Sequence, residues 1–157
     1  MSLAMREHNG ESSESLFVIF TLAGEEYAAP VSQVREVIKP LPLVKLPQSE
    51  ECVEGVLNIR GRVMPVLNLK KKLQLSDSED AGNVRLMIVE AGNICAALRV
   101  DHVSEVKSIR LSEAQHVPQS NGSSYLQGVV HCGERLITLL SLEKMFAENG
   151  IALILND

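Results

Sequence analysis

Apolar residues in this chain come in short runs bounded by turn residues, not at helical spacing. Leu16-Phe17-Val18-Ile19-Phe20-Thr21-Leu22 is apolar nearly throughout, the pattern of a strand covered on both faces. Ala23-Gly24-Glu25-Glu26 reads as a turn, and Tyr27-Ala28-Ala29 begins a return strand. Pro30 and Ser32 open a short helical turn on which Val31 and Val34 lie three apart. Glu36-Val37-Ile38 then runs into Pro40 and Pro42, which exclude a continuing helix and imply an extended connection.

The densest pattern runs from Gly55 to Leu69. Two apolar runs flank Arg60-Gly61-Arg62, a hairpin signature in which glycine supplies the turn. In the first run Leu57 and Ile59 share one face, while Val56, Asn58 and Arg60 share the other. Pro65 cannot donate to a ladder, so its strand is expected at an edge or at a bulge.

After a polar linker at 76–83 the chain repeats itself. Leu86-Met87-Ile88-Val89 echoes Phe17-Val18-Ile19-Phe20, and Val103-Ser104-Glu105-Val106 echoes Val34-Arg35-Glu36-Val37, both at an offset of 69. Gly128-Val129-Val130 and the run after Arg135 echo the Gly55 hairpin at an offset near 73, with turns expected at Gly24, Gly61, Gly92 and Gly133. Two echoes in the same order imply two similar β-subdomains, and units this short must pack on each other to bury both faces. Helices are few. Ser112-Glu113-Ala114-Gln115 fits a capping box at a short helical turn, and Ser141 is placed to cap a helix in which Leu142, Met145 and Phe146 form one apolar stripe. Lys70, Lys71 and Lys72 read as the exposed end of a short helix, with a partner contact as the second reading.

Composition narrows the function. Val, Leu and Ile make up 47 of 157 residues, whereas aromatic residues are 3% and Trp is absent. A branched aliphatic core favours pleated strands, and little aromatic surface is left to stack bases. The net charge is −5, and the only basic run is Lys70 to Lys72, so nucleic acid is not an expected partner. Cys52, Cys95 and Cys132 cannot all pair within one chain and include no Cys-x-x-Cys, which favours a reducing cytoplasm. No apolar run approaches a membrane span, and residues 1–15 form a polar, flexible tail without a signal-peptide core. The apolar C-terminal tail, 151–157, reads as a docked strand, a helix continuation or a partner contact.

No catalytic set is evident. His8, His102, His116 and His131 lack zinc-site spacing, so neither a metal nor a cofactor is expected. His131 and Cys132 are adjacent on a strand and point to opposite faces, so they are not a base and nucleophile pair. Asp101 and Glu105 read as solvated or turn-stabilising carboxylates. Arg60, beside the hairpin turn, is either a solvated edge charge or a recognition group offering several donors to carboxylates or carbonyls.

Gly55-Val56-Leu57-Asn58-Ile59-Arg60-Gly61, followed by Val63-Met64-Pro65-Val66-Leu67-Asn68-Leu69, closely resembles the signature of the CheW-like chemotaxis adaptors. Gly24-Glu25-Glu26-Tyr27, Val34-Arg35-Glu36-Val37, the stretch from Val100 to Val106 and Tyr125-Leu126-Gln127-Gly128 agree with it in order. The resemblance implies a mainly β fold over residues 16–150: two five-stranded β-barrel subdomains around a shared hydrophobic core, with a few short helices. It also implies a non-enzymatic, cytoplasmic adaptor, recruited to membrane-associated receptor arrays without inserting in the membrane. Such an adaptor links the cytoplasmic tip of methyl-accepting chemoreceptors to the regulatory domain of a CheA-type histidine kinase. The family's receptor contact falls here on Val34, Glu36, Gly55, Arg60 and Gly61, with a groove wall near Val100; Asn58, on the face of Arg60, is counted with them. The kinase contact is implied on the outer barrel edges. Asn68 and Leu73 depart from a common family pattern of Asp and an aromatic residue. The alternatives are an adaptor of a parallel pathway, such as pilus motility, and a small-ligand or oligonucleotide-binding β-barrel.

Overall fold

The strands that open each half, Glu14–Leu22 with Glu25–Pro30 and Arg85–Ala91 with Ile94–Val100, carry unbroken buried runs because both of their faces are covered, whereas Val34–Ile38 and His102–Arg110 are largely exposed. The computed structural model describes residues 14–47, 50–76, 82–116 and 125–147; the expected tail at 151–157, residues 1–13 and the middle of the 76–83 linker lie outside them. The strands are β1 (Glu14–Leu22), β2 (Glu25–Pro30), β3 (Val34–Ile38), β4 (Val53–Ile59), β5 (Arg62–Asn68), β6 (Arg85–Ala91), β7 (Ile94–Val100), β8 (His102–Arg110), β9 (Leu126–Cys132) and β10 (Arg135–Leu140). Short helices α1 (Leu69–Lys72) and α2 (Leu142–Phe146) follow β5 and β10. β1 starts at Glu14, inside the expected tail, because Glu14 and Ser15 pair with Arg110 and Ile109 of β8.

The strands form two five-stranded sheets. Sheet 1 has the order β8-β1-β2-β10-β9, and sheet 2 has β3-β6-β7-β5-β4. Reading β1 to β5 as the counterparts of β6 to β10 turns one order into the other. The repeat is therefore a pseudo-two-fold, and the halves exchange strands: each sheet takes two strands from one half and three from the other. The 76–83 linker joins β5 to β6, which belong to the same sheet, so it does not separate the two subdomains. The chain instead crosses between sheets at the 3-10 turn Val31–Gln33 and again at Asp101.

Period-two alternation divides the aliphatic side chains among three cores. Val18, Phe20 and Leu22 of β1, Met87 and Val89 of β6, and Leu98 and Val100 of β7 enter the core between the sheets. Phe17 and Ile19 lie instead inside sheet 1 with Ile137 and Leu139. Leu57, Met64, Leu86 and Ile88 fill the inside of sheet 2. Each such side chain contributes about 1.5–3 kcal/mol over exposure.

Neither ladder closes into a barrel. Among the described residues, the gap in each sheet is spanned by one bridge from the connection that leaves one edge strand to the other edge strand: Val44 to Val56 in sheet 2, Gln115 to Val129 in sheet 1. Both bridges exchange two backbone hydrogen bonds, of 2.8–3.1 Å at Val44 and 2.8–2.9 Å at Gln115. The crossing segments come so close that the facing residue has no room for a side chain. A Cβ on Gly55 would lie 2.5 Å from the Val44 carbonyl oxygen, and one on Gly128 would lie 2.8 Å from that of Gln115. β5 is not an edge strand, the first of the two placements expected for Pro65; the β4–β5 pair does carry a register shift, between Val53 and Gly55. Pro65 fits because its partner Val56 bonds outward to Val44, and the parallel pairing of β5 with β7 starts only at Val66.

Two other local expectations are revised. The Ser112 capping box does not form, because the turn there is a three-residue 3-10 segment, Leu111–Glu113, without a side-chain cap. Of the three lysines, only Lys71 is exposed; Lys70 and Lys72 are 3% and 8% exposed. Lys72 places its ammonium over the Tyr125 ring, 5.5 Å from the centroid. Lys70 Nζ meets Asp101 Oδ1 at 2.9 Å, while Asp101 Oδ2 accepts from the Ala23 N–H at 2.9 Å. Asp101 is thus buried, not solvated, and stabilises the β1–β2 turn as the other reading held. One carboxylate at the crossing point ties α1 of sheet 2 to the β1–β2 hairpin of sheet 1. By contrast Ser141 caps α2 as expected, accepting from the Lys144 N–H, with Leu142, Met145 and Phe146 buried.

Two predictions follow from these contacts. Gly55→Ala and Gly128→Ala each destabilise the fold by about 2–3 kcal/mol, whereas Gly82→Ala, which meets open space, changes stability by less than about 0.5 kcal/mol in urea unfolding. Lys70→Ala, which leaves the Asp101 carboxylate buried without its ammonium, costs about 3–5 kcal/mol in the same measurement.

Candidate functional site

Charge gathers at the end of sheet 2 where β3 and the β4–β5 turn meet. The turn is Arg60-Gly61, with Ile59 paired to Arg62. Both turn residues take the left-handed region, at φ +51° and +84°, as a two-residue primed turn requires. For arginine this conformation costs about 1–2 kcal/mol. The Asn58 side chain supports it, its Oδ1 accepting from the Gly61 N–H at 3.0 Å.

Arg60 reaches across the open gap of the sheet. Its guanidinium is hydrogen-bonded and ion-paired with Glu36 of β3, 24 residues away on the opposite edge strand. The Arg60 side chain is still 71% exposed, so most of its donor face is free to meet a partner. Beside this pair, Glu90 of β6 binds Arg35 Nε at 3.1 Å and lies 3.8 Å from Arg62. Together these five groups rim a groove of about 320 Å³ whose floor is Ile59, Met64, Ile88 and Cys95. Burial pushes the Cys95 thiol up, so it stays protonated and apolar in that floor. A charged rim over an aliphatic floor can hold a protein side chain by packing and orient it by guanidinium hydrogen bonds.

The pseudo-equivalent end of sheet 1 lacks this arrangement. There Arg135 is held by Glu26 at 2.9 and 3.0 Å and by Glu105 at 2.5 Å. Hydrogen bonding from Arg135 holds the Glu105 carboxyl below its usual range. Glu105 and Arg135 are the counterparts of Glu36 and Arg62, but Ser104 and Gly133 stand where sheet 2 has Arg35 and Arg60. Sheet 2 therefore carries two extra guanidiniums at its end. Arg35, Arg62 and Glu90 did not stand out in the sequence. The mismatch with Ser104 in the aligned repeats is the signal that marks Arg35.

The expected site residues fall into two groups. Glu36, Asn58, Arg60 and Gly61 come together at the exposed end. Val34 is half-buried against the shared core beside them. Gly55 and Val100 (1% exposed) are buried. Gly55 admits the Val44 segment, and Val100 packs in the shared core, so both act on the surface only through what they support. Asn68 lies away from the groove. Its amide donates to Glu54 at 2.9 Å while its Oδ1 accepts from the Lys71 N–H at 3.2 Å and caps α1. An aspartate could cap but could not donate, and Glu54 also binds Arg99 at 3.1 Å, so the departure at 68 matches a neighbouring carboxylate. His131 is exposed and Cys132 half-buried against the core of sheet 1. No group of three or more His, Cys, Asp or Glu able to hold a metal ion occurs among the described residues.

Comparison with known proteins agrees with this architecture. A chemotaxis protein CheW from Helicobacter pylori is 27% identical over 135 residues, covering 85% of this chain and 82% of that protein. The chemotaxis protein CheW of Klebsiella aerogenes is 27% identical over 150 residues, covering 94% and 90%. The crystal structure of the scaffolding protein TtCheW from Thermoanaerobacter tengcongensis superposes with a TM-score of 0.79 at 30% identity, over 87% of this chain and 95% of that one. The CheW-like domain matches residues 16–150, so that the strand-exchanged sheets, the bridged gaps and the Gly55–Leu69 signature all fall within it: the chain belongs to the CheW-like domain family.

Proposed function

We infer that this CheW-like protein is a chemotaxis adaptor that makes and breaks no covalent bond. It couples the cytoplasmic tip of methyl-accepting chemoreceptors to the regulatory domain of a CheA-type histidine kinase. The observation that carries the receptor contact is the Glu36–Arg60 pair: it spans the open gap of sheet 2, and its arginine keeps most of its surface exposed. Val34, Asn58 and Gly61 surround or shape it, with Gly55 and Val100 beneath. The kinase contact lies on the outer edges of the two sheets. No described helix is long and apolar enough to cross a membrane, and the protein works in the cytoplasm, held at membrane-associated receptor arrays by its partners.

The mechanism is assembly. Two related sheets offer two distinct surfaces, and heterologous contacts of this kind close into rings when the rotation allows. Many weak links in one array gain strength through effective concentration. Receptor state reaches the kinase only through contacts whose energy differs between the two signalling arrangements.

Charge reversal tests the receptor contact. Arg60→Glu leaves the fold intact, because an exposed ion pair contributes less than about 1 kcal/mol, yet it weakens binding of a soluble receptor fragment by about tenfold or more. The swapped double variant, Glu36→Arg with Arg60→Glu, restores the internal pair but not receptor binding. A folded Arg60→Glu variant that binds the receptor fragment like the parent, in a pull-down or a titration, removes the assignment.

A further inference from the structure

Asn58 shares a face with Arg60, yet its contacts differ from those of a group aimed at a partner. A two-residue primed turn leaves the N–H of its second residue outside the strand ladder. Here that N–H belongs to Gly61, and Asn58 Oδ1 takes it at 3.0 Å. Arg60 sits between the two residues of this bond, in a left-handed conformation that non-glycine residues avoid. Among the described residues, the other primed turn with a non-glycine left-handed residue is Ala23-Gly24, at φ +51° and +83°, and it too is held by a side-chain oxygen, Asp101 Oδ2 on the Ala23 N–H. In the hairpin of sheet 1 that matches the Arg60 turn, His131 stands at the place of Asn58 and Gly133 at that of Arg60. Where the turn carries no arginine, the amide oxygen is also missing.

We propose that Asn58 is a positioning residue for the receptor contact: its side-chain oxygen locks the Arg60-Gly61 turn and so holds the Arg60 guanidinium on Glu36, and Asn58 itself does not touch the receptor. This rests on the receptor reading of Arg60. The role needs an acceptor oxygen and makes no use of the amide nitrogen, so aspartate should serve as well as asparagine and alanine should not. Because Asn58 acts through Arg60, its removal should matter only while Arg60 is present.

The test uses the full chain as Asn58→Ala, Asn58→Asp, Arg60→Ala and the Asn58→Ala/Arg60→Ala double variant. Each is titrated with a soluble chemoreceptor cytoplasmic fragment, and Gly61 amide exchange is followed by NMR in the Asn58 variants. Asn58→Ala is expected to weaken binding about fivefold and to speed Gly61 exchange by a similar factor, the size of one lost hydrogen bond. Asn58→Asp stays within about twofold of the parent on both readouts, and the double variant binds no more weakly than Arg60→Ala alone. If Asn58→Asp loses as much binding as Asn58→Ala, or if the losses add in the double variant, Asn58 is a direct contact and the positioning role is overturned. Unchanged Gly61 exchange in Asn58→Ala overturns it as well. Parent-like binding by Arg60→Ala instead removes the receptor reading, and the Gly61 exchange rates then still decide whether Asn58 holds the turn.

Discussion

Neither half of this chain can complete a sheet, and the rest of the structure depends on that constraint. β1 and β2 need β8, β9 and β10, while β6 and β7 need β3, β4 and β5. β1, β2, β5, β6 and β7 then have one face inside their own sheet and the other against the opposite sheet, while the edge strands β3 and β8 stay largely exposed. That double burial demands apolar side chains at successive positions, which is why β1 runs Phe17-Val18-Ile19-Phe20 without a polar break. It also makes folding of the two sheets a single event, because the core between them draws on both halves. A non-local pairing such as β1 with β8 carries a loop-closure cost that only the completed core offsets.

Exchange of strands creates two crossing points, and they are built differently. At the first, a 3-10 turn carries Val31, packed against the shared core. At the second, Asp101 is buried and anchors both the Ala23 turn and Lys70. A buried ion pair is weak evidence of net stabilisation, since desolvation opposes the Coulomb attraction. Its direction and partners are specific, however, and it links the end of one sheet to a hairpin of the other. The same economy appears at the open gaps, where a single backbone bridge and an unoccupied Cβ position at Gly55 or Gly128 bring the edges together.

The proposed receptor surface grows from one such gap. In sheet 2 the opening is spanned at one end by Val44 and at the other by Arg60 with Glu36. An ion pair in that place joins strands that share no ladder, so the proposed contact surface and the closure of the sheet are the same feature. In sheet 1 Arg135, the counterpart of Arg62, is held by two carboxylates, and Gly133 stands in the place of Arg60. Two similar sheets thus present ends of different character, as an adaptor with distinct partners requires.

Much of the fold was legible in the sequence: the strands, the turns at Gly24 and Gly61, the Ser141 cap and the repeat all follow from local pattern, because period two and turn chemistry act over a few residues. The motif from Gly55 to Leu69 likewise singled out Arg60 and Gly61. What local pattern could not carry were facts set by residues far apart in the chain. Lys70 and Lys72 look like solvated charges until α1 docks at the sheet junction, and Gly55 looks like a turn or a contact until Val44 crosses over it. Pro65 reads as an edge or bulge residue because the strand beside β5 comes from the other half. The sequence by itself determined a two-fold repeat of aliphatic strands and the turn that carries Arg60. The tertiary structure decided that the halves exchange strands and that Arg60 meets Glu36, because strand partnership across such separations is selected by burial of the shared core, not by any preference of the segments themselves.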